Sequence, residues 1–332
     1  MPTKSNQPRV VKRVPIYTKN SASSVVHTSR RAAKAASFAA MDIARKRRGL
    51  LRQFHIVRRR PPVITEVQYN QLPKKNVLVL APHPEEPHEK CFATIKGFMI
   101  AGGNVQIHTL TTGWHGVELS PEKLDALKKT NLPHAAQRFA QVKTRLREIR
   151  NADKQFGAGV KNEIHNMDFY NTNEVSKRDV ALMKKIVNSG KWDVVIMPDP
   201  LDIQPTHAAV YDLAIGFLRR KVRFSRHPIE LWGFETTYHR HPLTELNQIV
   251  YYTGEVQKEK MAAVSAHKSQ EDRRGAVILG RMAEAERSSA IAEEVKGFGV
   301  HVDFTQAQRL EAFSKTTLKP YGPFVFGTKK RK

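Results

Sequence analysis

The sequence predicts an α/β domain in which helices cover both faces of a parallel β-sheet, preceded by a basic arm that is part extended and part helical. Three observations carry this expectation. From Lys74 onward, short runs rich in Val, Ile and Leu alternate with segments of helical spacing, the pattern of βαβ units. Several of those runs are continuously apolar, as strands buried on both faces require. The first 62 residues break the pattern and carry charge in place of periodicity.

Residues 1–62 hold sixteen Lys and Arg against one acid, Asp42, a balance of +15 within the chain's formal +25. The segment opens irregularly as PTKSNQPRVVKRVPIYTKNSASS. It then turns Ala-rich in SRRAAKAASFAAMDIARKRRGLLRQFHIV, which reads as a basic helix that RRRPP ends. Such an arm favours polyanions, and Arg45, Lys46, Arg47, Arg48, Arg58, Arg59 and Arg60 are its candidate nucleic-acid contacts. An Arg- and Ser-rich, acid-poor leader is equally the composition of a mitochondrial presequence, and a solvated tail is the third reading. A smaller basic tail, residues 319–332, ends in GTKKRK.

Between these ends, residues 63–318 have the apolar content of a globular domain. NVLVLAP and NVQIHTLTT read as strands, joined by CFATIKGFMIAGG, which has helical spacing and a Gly stop. A charged helix, HAAQRFAQVKTRLREIRNADKQFGA, leads to a third expected strand, EIHNMDFY. Next come a helix, RDVALMKKIVNSG, and the buried-strand pattern WDVVIMPDP. AEAERSSAIAEEVKG reads as a solvated helix. The single cysteine, Cys91, excludes an internal disulfide, and no apolar run approaches a membrane span. Both fit an intracellular, reducing compartment, cytoplasmic or, if the arm is a leader, mitochondrial. No Walker loop, no G-x-G-x-x-G after a strand and no internal repeat occurs.

In parallel sheets ligands sit outside the carboxyl ends of the strands, and two unusual clusters fall there. PHPEEPHE follows VLVLA, and PDPLDIQPTHAA follows DVVIM. His83, Glu85, Glu86 and His88 offer nitrogen and oxygen ligands within six residues, and His207 adds a nitrogen from a helix start. Three protein ligands with a position left for water is the pattern of a catalytic zinc. The alternative is that these residues cap helices and meet solvent. His108, inside a strand, reads as a satisfied sheet histidine, and His115, after Trp114, either lines the cleft or stabilises a loop.

These residues resemble the zinc-dependent N-deacetylases of the LmbE/PIG-L-like family. APHPEEPHEKCFATI is similar to the family's strand, A-H-P-D-D-E and G-C-G-G-T-I-like helix start, with Cys91, Thr94 and Ile95 in step. VQIHTLTTG, RLREIRNADKQFGA and PDPLDIQPTHAAV resemble the next motifs in order. LWGFET and AHKSQ sit where C-terminal family segments fall, so the resemblance spans roughly residues 74–275. It implies a Rossmann-like sheet and removal of an acetyl group from an N-acetylated amino sugar or related amide. It also implies zinc held by His83, Glu86 and His207, with Glu85 as general base and Arg145 contacting substrate. Gln204 stands where the family has the His that polarises the oxyanion and protonates the leaving amine. The chain departs from the family elsewhere too: both aspartates are glutamates, the next Glu is Pro87, and the Asp of H-P-D-H is Thr206. Glutamine can donate a hydrogen bond but supplies no proton at neutral pH. Asp199 and Asp202 match family acids that would orient His207 or cap the turn.

Two functions follow from the sequence. One is a zinc-dependent N-deacetylase. The alternative is a catalytically degenerate deacetylase-like domain, a pseudoenzyme retained as a structural or RNA/DNA-binding component of a larger ribonucleoprotein, such as a mitochondrial-type ribosome, or of a virion.

Overall fold

A computed structural model describes residues 65–117, 119–130, 132–236, 246–270 and 309–320. The basic arm with its candidate nucleic-acid contacts, the expected helix AEAERSSAIAEEVKG and most of the basic tail lie outside the described residues.

Eight strands form one sheet: β1 (Thr65–Gln68), β2 (Asn76–Ala81), β3 (Asn104–Thr109), β4 (Lys161–Ile164), β5 (Val194–Pro198), β6 (Ile229–Phe234), β7 (Gln248–Tyr252) and β8 (Arg309–Leu318). The helices are α1 (Glu86–Lys90), α2 (Phe92–Ile100), α3 (Pro121–Lys128), α4 (Pro133–Asp153), α5 (Phe169–Thr172), α6 (Lys177–Asn188), α7 (Pro205–Ser225) and α8 (Gly254–Ser265). The spatial order is β1-β7-β8-β6-β5-β2-β3-β4, and β2 lies parallel to both β3 and β5. Among the described strands, β8 alone runs antiparallel, against β6 and β7. Among the described residues, no helix is long and apolar enough to cross a membrane.

Alternation along the central strands explains the two covered faces. Val77 and Val79 of β2, with Ile196 of β5, pack against Phe92, Ile95 and Phe98 of α2, Ala152 of α4 and Ala263 of α8. Leu78 and Leu80, with Val195 and Met197, pack on the other side against Met183 and Ile186 of α6 and Val210, Ala214 and Leu218 of α7. A strand whose side chains are apolar in both directions fits only this sandwich. α6 starts at a full capping box, in which Ser176 Oγ accepts from Asp179 N–H and the Asp179 carboxylate accepts from Ser176 N–H.

The expected strand EIHNMDFY is shorter than its sequence reads. β4 ends at Ile164, and Phe169 begins the single turn of α5. The buried Asp179 carboxylate accepts from the backbone N–H groups of Asp168 and Phe169, at 2.7 and 3.0 Å, which satisfies a turn where ladder bonds would otherwise run.

Candidate metal centre at the strand ends

The loops leaving β2 and β5 bring the two clusters together. After Ala81 the chain turns at His83 and enters α1 at Glu86, whose Oε2 accepts the His83 N–H at 3.0 Å. This bond folds the carboxylate back so that Oε1 faces His83 Nδ1 at 3.2 Å. After Pro198 a turn through Asp202 leads into α7, and His207 lies in its first turn. His207 Nε2 stands 2.6 Å from Glu86 Oε1 and 3.2 Å from His83 Nδ1. His83, Glu86 and His207 each point one ligand atom at a common spot, all within 4.8 Å of one another.

Asp202 sets the chemistry of His207. It is fully buried, and its Oδ2 accepts from His207 Nδ1 at 2.7 Å and from Thr236 Oγ1 at 2.6 Å, while Oδ1 accepts the Gln204 N–H at 2.8 Å. With one proton fixed on Nδ1 by Asp202, Nε2 is the nitrogen turned toward Glu86 and His83, and it is the one that can give up its proton to a metal. Burial would lower the pKa of His207, yet Glu86 and Asp202 on its two ring nitrogens pull it up to about 10. Burial likewise works to raise that of Glu86, and the His207 and His83 rings outweigh it and hold the carboxylate well below its usual range. Two carboxylates converging on two imidazoles form a site that favours positive charge. Two nitrogens and one carboxylate oxygen, with His83 part exposed and the other two buried, match the donor set and open side of zinc hydrolase sites.

The neighbouring candidates have different surroundings. Glu85 is paired with Arg145, whose Nη2 lies 2.5 Å from Glu85 Oε2 and whose Nη1 donates to Glu148 Oε2 at 2.9 Å. Arg145 is fully buried, so its guanidinium acts on Glu85 and Glu148 rather than facing an open cleft. Burial would raise the pKa of Glu85, but Arg145 and then His83 bring it below the ordinary value. Gln204 is the N-cap of α7, its Oε1 accepting the His207 N–H at 2.8 Å. Asp199 accepts from Leu201 N–H at 2.7 Å and from Ser314 Oγ.

His88 sits behind the site rather than in it. It is fully buried, with Nε2 3.1 Å from Asp153 Oδ1 and Nδ1 3.2 Å from both Pro84 O and His267 Nε2. His267 in turn reaches Arg145, so a buried polar chain runs from Asp153 to Glu85. His115 stacks on Trp114 with centroids 3.7 Å apart and meets Tyr170, whose ring stands edge-on to His83 with centroids 6.0 Å apart. Gly113, before this turn, has φ of 63°, and a Cβ there would lie 2.9 Å from Pro84 Cδ. Sequence reasoning noted the segments LWGFET and AHKSQ without assigning roles to Thr236 and His267. Only the fold shows that they support His207 and Arg145.

The described residues form an α/β domain with a His–Glu–His constellation at its strand ends. Residues 78–218 match the model of the PIG-L family, described as GlcNAc-PI de-N-acetylase. Among solved structures, GalB, the 4-carboxy-2-hydroxymuconate hydratase from Pseudomonas putida KT2440, is similar at 14% identity and a TM-score of 0.51, covering 75% of this chain and 98% of that one. The N,N'-diacetylchitobiose deacetylase from Pyrococcus horikoshii is similar at 17% identity and a TM-score of 0.50, covering 76% and 88%. No curated protein matches the chain. A hydratase and a deacetylase sharing this fold show that the fold alone does not choose the reaction.

Proposed function

We propose that the domain binds zinc through His83 Nδ1, Glu86 Oε1 and His207 Nε2 and hydrolyses the acetamide of an N-acetylated amino sugar. The observation that carries this reading is the convergence of those three atoms with Asp202 fixing the His207 tautomer. When bound, zinc supplies Lewis acidity and lowers the pKa of water. Glu85, ionised at neutral pH and held by Arg145 through Oε2, takes up the water's proton at Oε1 and passes it to the amine nitrogen as the C–N bond breaks. The Gln204 side-chain amide, anchored through Oε1, offers its Nε2–H to the carbonyl oxygen as charge develops there. Tyr170 and His115 form an aromatic wall beside His83 against which a sugar face can rest.

The test is release of free amine from N-acetylglucosamine derivatives by zinc-loaded, full-length protein, with His83→Ala and His207→Ala as controls. Zinc-dependent release abolished in both variants supports the reading; no bound zinc in the wild type overturns it. A second reading rests on Gln204, which cannot protonate a leaving amine, and on Glu85, whose basicity Arg145 lowers. In that case the protein holds zinc through the same residues and releases no amine.

A further inference from the structure

A second cluster of metal-ligand type, sharing no residue with the first, lies at the carboxyl ends of β3 and β4. We propose that His108, Glu163 and His165 form a separate binding site for a first-row divalent transition ion, which clamps the edge strand β4 onto β3. The register builds it. His108 pairs directly with Glu163 across the parallel ladder, and His165 follows two residues later on the same face. His108 Nδ1 stands 2.9 Å from His165 Nε2, with the rings stacked 10° from parallel, and Glu163 Oε2 lies 3.8 Å from His108 Nδ1. The three ligand atoms lie within 4.8 Å of one another.

Two imidazole nitrogens on one tetrahedral zinc sit about 3.3 Å apart, given bonds of roughly 2.0–2.1 Å. The two rings therefore have to separate by only a few tenths of an ångström, and Glu163, mostly exposed, is free to swing inward. Burial pushes the pKa of His108 down to about 4, helped by His165, and burial lowers that of His165 as well. One of the two facing nitrogens donates the 2.9 Å bond, and a shift of that proton to the ring's other nitrogen presents both lone pairs to a soft or borderline cation. Two nitrogens and one oxygen favour zinc, copper or nickel over calcium or magnesium. Lys185 of α6, which faces His165, is the group opposing a cation here. The gain falls on β4, a four-residue edge strand with little buried apolar surface of its own.

The experiment is metal analysis of untagged full-length protein, equilibrated with zinc and dialysed against a weak chelator, as wild type, His83→Ala and His165→Gln. Two equivalents in the wild type, falling to one in each variant, is the expected result. Hydrogen exchange should show residues 161–164 protected by zinc in wild type and in His83→Ala, and unprotected in His165→Gln. One equivalent that is lost in His83→Ala and kept in His165→Gln would overturn the inference, leaving the histidine pair as a structural hydrogen bond. One equivalent with the opposite dependence would uphold this site while removing the metal centre on which the proposed hydrolysis rests. No retained zinc in the wild type would overturn both.

Discussion

Asp202 touches neither proposed metal nor substrate, yet its three accepted hydrogen bonds decide which nitrogen His207 presents. In Asp202→Asn the amide nitrogen can face His207 Nδ1, moving the imidazole proton to Nε2 and turning a ligand atom into a donor. Zinc affinity should fall about 10- to 100-fold, as for other losses of a partner behind a ligating histidine. Competition with a chelating dye measures this; an unchanged Kd would mean that Asp202 does not set the tautomer. His267 makes a prediction about stability. Burial, then His88, then Arg145 depress its pKa well below 6.5. Below about pH 6.5 the unfolded chain takes up a proton there that the folded chain refuses, so stability present above that pH is lost as the pH falls. Urea midpoints at pH 7 and pH 5 should drop less in His267→Gln than in wild type. Equal drops would show that His267 is protonated in the fold.

The elements legible in the sequence are those whose burial leaves a pattern. β2 and β5 are apolar in both directions because both faces are covered, and α6 announces its start with a Ser and an Asp three residues on. β8 was not legible, because it carries Glu311 into the core. That carboxylate accepts from the backbone N–H groups of Ala93 and Thr94 at the start of α2, and from Thr94 Oγ1 at 2.7 Å, while Lys260 of α8 donates to it at 3.0 Å. A buried acid in a strand reads as a surface position until the helix N-terminus and the lysine that satisfy it are known. The centre itself was legible in part: the resemblance marked His83, Glu86 and His207, but long-range partners such as Thr236 and the pairing of Arg145 with Glu85 leave no local signal. Glu311→Ala would strip the cap from α2 and remove the carboxylate facing buried Lys260. It should cost about 3–5 kcal/mol, the range for breaking a buried ion pair from one side. A denaturant titration reads this, and a loss under about 1 kcal/mol would mean that water replaces the carboxylate.

Over the whole molecule, charge and fold are divided along the chain. Residues 1–62 supply +15 of the formal +25, while the described sheet begins only at Thr65. Cutting after Pro62 therefore removes no described strand or helix and should leave the domain's far-ultraviolet circular dichroism and proposed zinc binding intact. If the arm binds nucleic acid through phosphates, it does so by displacing counterions, and affinity must fall steeply with salt. Engaging six phosphates would give log Kobs against log[salt] a slope of about −4 to −5. Full-length protein and residues 63–332 should then differ in both affinity and slope on a single-stranded RNA of mixed sequence, with the shallower slope in the shorter chain. Residues 63–332 keep the other +10, with acid-free basic runs at 219–226 and 319–332, so a residual salt dependence is expected of them. Equal slopes for the two chains would place the polyanion contacts on the folded domain and leave the arm without this role.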